Sequence, residues 1–191
     1  MAMNGSKFYL EDTTVKSYYF TDKSLTKKLA KNINSAINEI IAESQNVGNT
    51  GSTNSSIGNS ANKDFENFNL HEVLDEKLTL SYFIKRIVKY TKVNLSTIIL
   101  ALIYIDRLCD KASLILTENN IFRLFLTSVY IAMKYNEDIL HSDKSLSLVF
   151  GVEIEELCEL EQDFIAKLDF SLYVDEKTFK FYDEFLFDME I

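Results

Sequence analysis

The chain has 191 residues, 47% of them hydrophobic and 26% charged, enough apolar material for a core of roughly 100 residues plus an extension. Its 20 basic residues stand against 29 acidic ones, a net charge of -9 with a pI near 4.8, which disfavours phosphate backbones and anionic membranes as ligands. Its two cysteines, Cys109 and Cys158, lie within helical apolar patterns and read as reduced core residues, with no zinc-ligand spacing and no apolar run of the ~18 residues a membrane span needs.

The N-terminus, Met1 to Leu10, lacks the basic start and apolar run of a signal peptide, so a soluble nuclear or cytoplasmic protein is expected. Leu25, Leu29, Ile33, Ile37, Ile40 and Ile41 form an amphipathic helical stripe, with Asp22 or Ser24 as a possible N-cap. Packing on the chain's own main domain is the expected use of that stripe, with a partner protein the other. From Gln45 to Lys63 the chain is mostly Asn, Ser, Gly and Thr, too polar to offset the entropy of ordering, and is expected to be a disordered linker. The division is therefore an extension over 1–45, a linker over 46–64 and the main domain over 65–191.

After Phe65, helix follows helix. Leu80, Phe83, Ile84, Ile87 and Val88 share one face, while Ser81, Lys85, Lys89 and Lys92 take a wetter one. Leu95 to Leu108 is apolar nearly all round and should be buried on most sides. Thr117 is placed to cap a third helix that stays apolar to Met133 and Tyr135. A short helix fits Lys144 to Phe150, ended by Gly151, and a fifth over Ile154 to Leu168 starts among Glu153, Glu155 and Glu156, where negative charge favours the helix dipole. Extended chain from Phe170 to Val174 leads to a last helix over Glu176 to Phe187. No strand-type alternation is sustained, so the fold class is all-α.

Two charges break these patterns. Lys134 closes the apolar run from Ile121, and Glu161 occupies the position that would complete the stripe of Ile154, Leu157, Cys158, Phe164, Ile165 and Leu168. Charges are rarely buried unpaired, so the two either satisfy each other inside the fold or sit at an opening kept for a partner. Catalytic patterns are missing. His71 and His141 have no Ser or Cys nucleophile in evident relation to them, the acidic pairs read as helix-dipole partners and solvated faces, and neither phosphate-binding glycine motif occurs. No enzyme, cofactor, metal or small-molecule substrate is expected.

Tyr104-Ile105-Asp106-Arg107-Leu108, Leu116-Thr117, Asn120 to Thr127 with Arg123, Ala132-Met133-Lys134-Tyr135 and Glu156 to Glu161 resemble, in order and spacing, the cyclin box. Arg86-Ile87 with Lys89-Tyr90-Thr91, the Asn-x-x-Arg-Leu of the third helix, and Gly151 before Glu-Leu-x-x-Leu-Glu are similar to P-type (U-type) cyclins of the phosphate-regulon kind. The resemblance covers about Leu78 to Tyr182 and leaves the first 65 or so residues as a variable extension. It implies a single five-helix box flanked by an N-terminal and a C-terminal helix, with no room for a second box before Ile191. It further implies a regulatory subunit that binds and activates a cyclin-dependent protein serine/threonine kinase in cell-cycle or nutrient control. By position, Lys134 and Glu161 match the charges that hydrogen-bond the kinase backbone, and Tyr135, Glu137, Ile165, Phe170 and Leu172 fall at further kinase-facing positions. Arg86 and Asp106 match a buried salt bridge joining the first two box helices. Phe122, Cys158, Asp143 and Phe150 depart from the P-type pattern, and Lys85 and Lys92 stand where cell-cycle cyclins carry the Met and Trp of a substrate-docking patch. Docking of Arg-x-Leu motifs is therefore not expected. The alternative reading is a cyclin-fold scaffold, or a transcription-factor-like module that binds nucleic acid or other proteins without a kinase.

Overall fold

The structure, a computed structural model, describes residues 23–49, 63–70, 79–112, 114–138 and 141–188. Among them are helices and connecting turns, with no strand. The helices are α1 (Lys23–Asn49), α2 (Leu80–Thr91), α3 (Leu95–Ala112), α4 (Ile121–Asn136), α5 (Asp143–Phe150), α6 (Ile154–Lys167) and α7 (Glu176–Asp188), with a 3-10 helix over Lys63–Phe68.

The centre is the pair α3 and α4. In α3 every side chain from Thr97 to Ile105 is buried, and in α4 every one from Arg123 to Met133, as expected of helices that are apolar on nearly all sides. The others lay one face against this pair: α6 covers α4, α7 covers α3, α2 packs on α1 and α5, and α1 reaches α2, α3 and α7. On α1, Ala30, Ile33, Ala36 and Ile37 belong to the common core, and Ile40 and Ile41 are half-buried against it. Burying Ile33 and Ile37 contributes roughly 1.5–3 kcal/mol each, so the first helix is an integral layer of the fold. The Leu25 and Leu29 side chains lie outside the described ones.

Helix ends follow local chemistry. Thr79 Oγ1 accepts from the Tyr82 N–H at 3.2 Å to start α2, which closes on Lys92 in the left-handed region at φ 51°. Ser142 caps α5 through the Ser145 N–H, and Gly151 ends it at φ 77°, a conformation that favours glycine. Helix α3 runs four residues past the expected Leu108, to Ala112, and two further boundaries differ for local reasons. Thr117 does not cap α4: a turn intervenes and the helix begins at Ile121, because the Asn120 side chain folds back onto the Thr117 N–H (2.9 Å) and the Ile115 carbonyl (3.0 Å). Helix α1 runs on to Asn49, into the expected linker. Gln45 to Val47 contains no helix breaker, and extending an existing helix is far easier than starting one. The rest of that linker, 50–62, lies outside the described residues.

The 3-10 segment is tied down by its rings and by Arg123. Phe65 and Phe68 are buried, Phe68 meets Phe164 edge-on at 6.0 Å, and the Lys167 ammonium sits 5.0 Å from the Phe65 ring centroid. Arg123 donates to the carbonyls of Asn67 (2.7 Å) and Asn69 (3.1 Å) and pairs with Glu156, so one buried guanidinium joins the segment, α4 and α6.

Candidate functional site

Lys134 and Glu161 meet. The last turn of α4 carries Lys134 to the edge of the core, where its Nζ lies 2.6 Å from Glu161 Oε1 on α6. The lysine side chain remains 41% exposed and the glutamate 16%, so the pair is a surface feature with one member still open to solvent. Tyr130, one turn before Lys134, fixes the lysine from beneath: its ring centroid is 4.9 Å from Nζ, and its hydroxyl donates to Asp143 Oδ1 at 2.7 Å. Burial pushes the Tyr130 phenol up, and the Asp143 hydrogen bond and Glu161 push it further, so it stays a neutral donor at physiological pH. The sequence carries this residue in plain sight, at i−4 from Lys134.

One turn on from Glu161 stands half-buried Ile165, whose carbonyl accepts the Phe170 N–H at 3.1 Å. Asp169 and Phe170 both take left-handed conformations, φ 53° and 57°, and this reversal after α6 leaves the Phe170 ring 77% exposed. A bulky non-glycine residue is uncommon there. Leu172 follows, its carbonyl accepting from the buried Tyr104 hydroxyl at 2.9 Å, while Arg107 Nη1 holds the Ser171 and Tyr173 carbonyls at 2.9 and 2.8 Å. Burial first, and then Tyr135, raises the Tyr104 phenol, so its hydroxyl stays a donor to Leu172. Lys134 and Glu161 are thus in contact, Phe170 is tied to Ile165 one turn on from Glu161, and Leu172 is tied to Tyr104.

Glu137, also expected at a kinase-facing position, is half-buried. Its carboxylate accepts from the Asn94 N–H (2.9 Å), the Asn94 side-chain amide (2.5 Å) and the Thr97 hydroxyl (2.6 Å), so its charge is engaged in holding the start of α3. The Arg86–Asp106 salt bridge implied by the resemblance is not formed. Arg86 lies on the side of α2 that faces α5 and donates to the Leu148 carbonyl at 2.8 Å, whereas Asp106 lies on the side of α3 that faces α7 and accepts from the Tyr182 hydroxyl. Among the described residues the hydrogen bonds of the two charges go to different helices.

The remaining chemistry-bearing groups have structural surroundings. Burial, with Asp106 and Asp110 adding to it, pushes the Cys109 thiol up to about 12, where thiolate chemistry is suppressed. His141 pairs through Nε2 with the Thr91 carbonyl at 2.7 Å, and His71 lies outside the described residues. Among the described residues no group of three or more His, Cys, Asp or Glu is arranged to hold a metal ion, and no helix is long and apolar enough to cross a membrane.

The sequence profile of the cyclin family matches residues 26–172. This chain belongs to the cyclin family. The match opens within α1, so the first helix lies inside the family region. Among curated proteins the chain is 28% identical to Cyclin-U2-2 of Arabidopsis thaliana over 167 residues, 87% of this chain and 70% of the relative. It is 34% identical to Cyclin-U2-1 of Arabidopsis thaliana over 60% of this chain and 51% of the relative, and 34% identical to Cyclin-P3-1 of Oryza sativa subsp. japonica over 55% and 44%. The chain thus aligns with about half the length of the last two. It is a cyclin of the P/U type, a regulatory rather than a catalytic class of protein.

Proposed function

We propose that this cyclin is the regulatory subunit of a cyclin-dependent protein serine/threonine kinase, which it binds and activates. The observation that carries the reading is the half-open Lys134–Glu161 pair, with exposed Tyr135 next to Lys134 in the chain and exposed Phe170 just after the helix that carries Glu161. A charged pair with unused hydrogen-bonding capacity, set among apolar side chains, suits a partner that offers backbone donors and acceptors together with an apolar helix face. In this reading Lys134 donates to a kinase carbonyl and Glu161 accepts from a kinase N–H, without having to break their mutual contact. Ile165, Phe170 and Leu172 pack on the kinase helix whose inward position completes its active site, and the kinase supplies all of the chemistry. Glu137 and the Asn94–Thr97 turn hold the ends of α3 and α4 so that Lys134 and Tyr135 project at a fixed angle.

Affinity purification of the full chain followed by mass spectrometry tests this. The reading expects a serine/threonine kinase that is recovered with the wild-type chain and lost with Lys134→Ala/Glu161→Ala. Recovery of the same partners with the double variant, or of no kinase with either chain, contradicts it.

A further inference from the structure

A second surface lies on the solvent side of α2. The buried face of this helix is Phe83, Ile84, Ile87, Val88 and Thr91. The opposite face, at helical spacing, presents Tyr82, Lys85, Arg86 and Lys89, and the helix contains no acidic residue. Among the described residues none of these three cations forms an ion pair. Beside them, α5 exposes Leu148 to 70%, with Lys144 one turn earlier on the same helix.

Two features make this more than a solvated helix face. First, Arg86 is held: Nη2 donates to the Leu148 carbonyl at 2.8 Å, which fixes the guanidinium plane while leaving most of its five donors for a ligand. A pre-positioned guanidinium loses little entropy on binding a carboxylate. Second, Tyr82 and Leu148 place large exposed apolar surface directly beside the cations. The charge is also local. Residues 152–191 hold 13 acidic and 3 basic side chains, whereas residues 1–151 hold 16 acidic and 17 basic, so the overall charge of -9 arises in the C-terminal part of the chain.

We propose that the α2–α5 face is a docking site for an acidic linear segment of a partner protein, rich in Asp and Glu, with a large apolar residue between the carboxylates. Arg86 takes one carboxylate through its free donors, Lys85 and Lys89 take neighbouring ones, and the apolar residue lies against Tyr82 and Leu148. A nucleic acid would present its charges in a long row, and the acidic C-terminal part of the chain would repel it. None of these side chains belongs to the Lys134–Glu161 surface, so the site does not depend on the kinase reading.

Fluorescence anisotropy with the full chain provides the test. The probe is a fluorescein-labelled peptide in which Leu and Phe alternate with pairs of Glu, compared with the same peptide carrying Ser for Leu and Phe, a Lys-for-Glu version, and a single-stranded oligonucleotide. Saturable binding is expected for the acidic apolar peptide, roughly tenfold tighter than for its Ser version or the oligonucleotide, and weakening as salt is added. Lys89→Glu, which alters an exposed side chain, should weaken it at least tenfold with melting unchanged, Lys85→Glu/Lys89→Glu should abolish it, and Leu148→Ser should weaken it. No saturable binding, unaltered binding to the double variant, or a preference for the oligonucleotide or the Lys peptide overturns the proposal.

Discussion

Asn32, on the first helix, donates through Nδ2 to the backbone carbonyl of Leu186 on the last, a buried 2.8 Å hydrogen bond across 154 residues of chain. It engages a carbonyl in the last described turn of α7 and helps lock α1 and α7 together against α3. The neighbouring Ile33 and Ile37 side chains are fully buried, so Ile37→Ala should lower unfolding free energy by about 2–5 kcal/mol in chemical denaturation. Asn32→Ala should cost about 1–3 kcal/mol. Deletion of the chain through Lys63 should destabilise it more than either substitution. A truncated chain that melts like the full one would mean that α1 is not part of the core.

Asp106 and Tyr182 should behave as a coupled pair, and Asp106 and Arg86 as strangers. Burial raises the Tyr182 phenol, and the Asp106 hydrogen bond adds to it, so the hydroxyl keeps its proton and remains the donor. Asp106→Ala should destabilise by about 1–3 kcal/mol, and a double-mutant cycle with Tyr182→Phe should show a coupling of at least about 0.5 kcal/mol. The cycle of Asp106→Ala with Arg86→Ala should be additive within about 0.5 kcal/mol. The opposite pattern would restore the pairing that the resemblance implied.

Arg123 is 8% exposed at its side chain and among the described residues serves the Asn67 and Asn69 carbonyls and the Glu156 carboxylate. Removing it strands Glu156 and releases the 63–68 segment, so Arg123→Ala should cost about 3–5 kcal/mol in thermal or denaturant unfolding. Arg123→Lys keeps the charge but loses the fork, and should recover only part of that loss. Full recovery by lysine would mean that charge alone matters at this position.

The helices α2 to α6 were legible because their apolar residues recur with the helical period, and Gly151 marked the end of α5. The end of α1 was not, since Asn46 to Asn49 are weak helix formers that extend a helix held in place by Ile33 and Ile37. At the candidate site, Lys134 and Glu161 stood out as charges in apolar stripes. That they touch depends on how α4 crosses α6, which periodicity does not encode. For the same reason the partners of Arg86 and Asp106 could not be read from residue types, because each faces a helix far along the chain.

Phe170 sits in the left-handed region with its ring in solvent, an arrangement that costs roughly 1–2 kcal/mol of backbone strain and gains little packing within the chain. Phe170→Gly should therefore leave melting unchanged or raise it slightly, by up to about 1 kcal/mol, while weakening kinase binding by at least about 2 kcal/mol. Lower stability with full binding would make Phe170 a structural residue.

The most direct measurement exchanges the charges of the central pair. Lys134→Glu/Glu161→Lys keeps opposite charges in contact between α4 and α6, so its melting should stay within about 1 kcal/mol of wild type, because a half-exposed ion pair contributes little to stability in either orientation. Toward the kinase, however, donor and acceptor have traded places. Calorimetric titration with the co-purified kinase should show binding weakened by about 2–5 kcal/mol in each single alanine variant and not restored in the exchanged one. Wild-type affinity in the exchanged variant would contradict this, and would make Lys134–Glu161 an internal brace with no part in recognition.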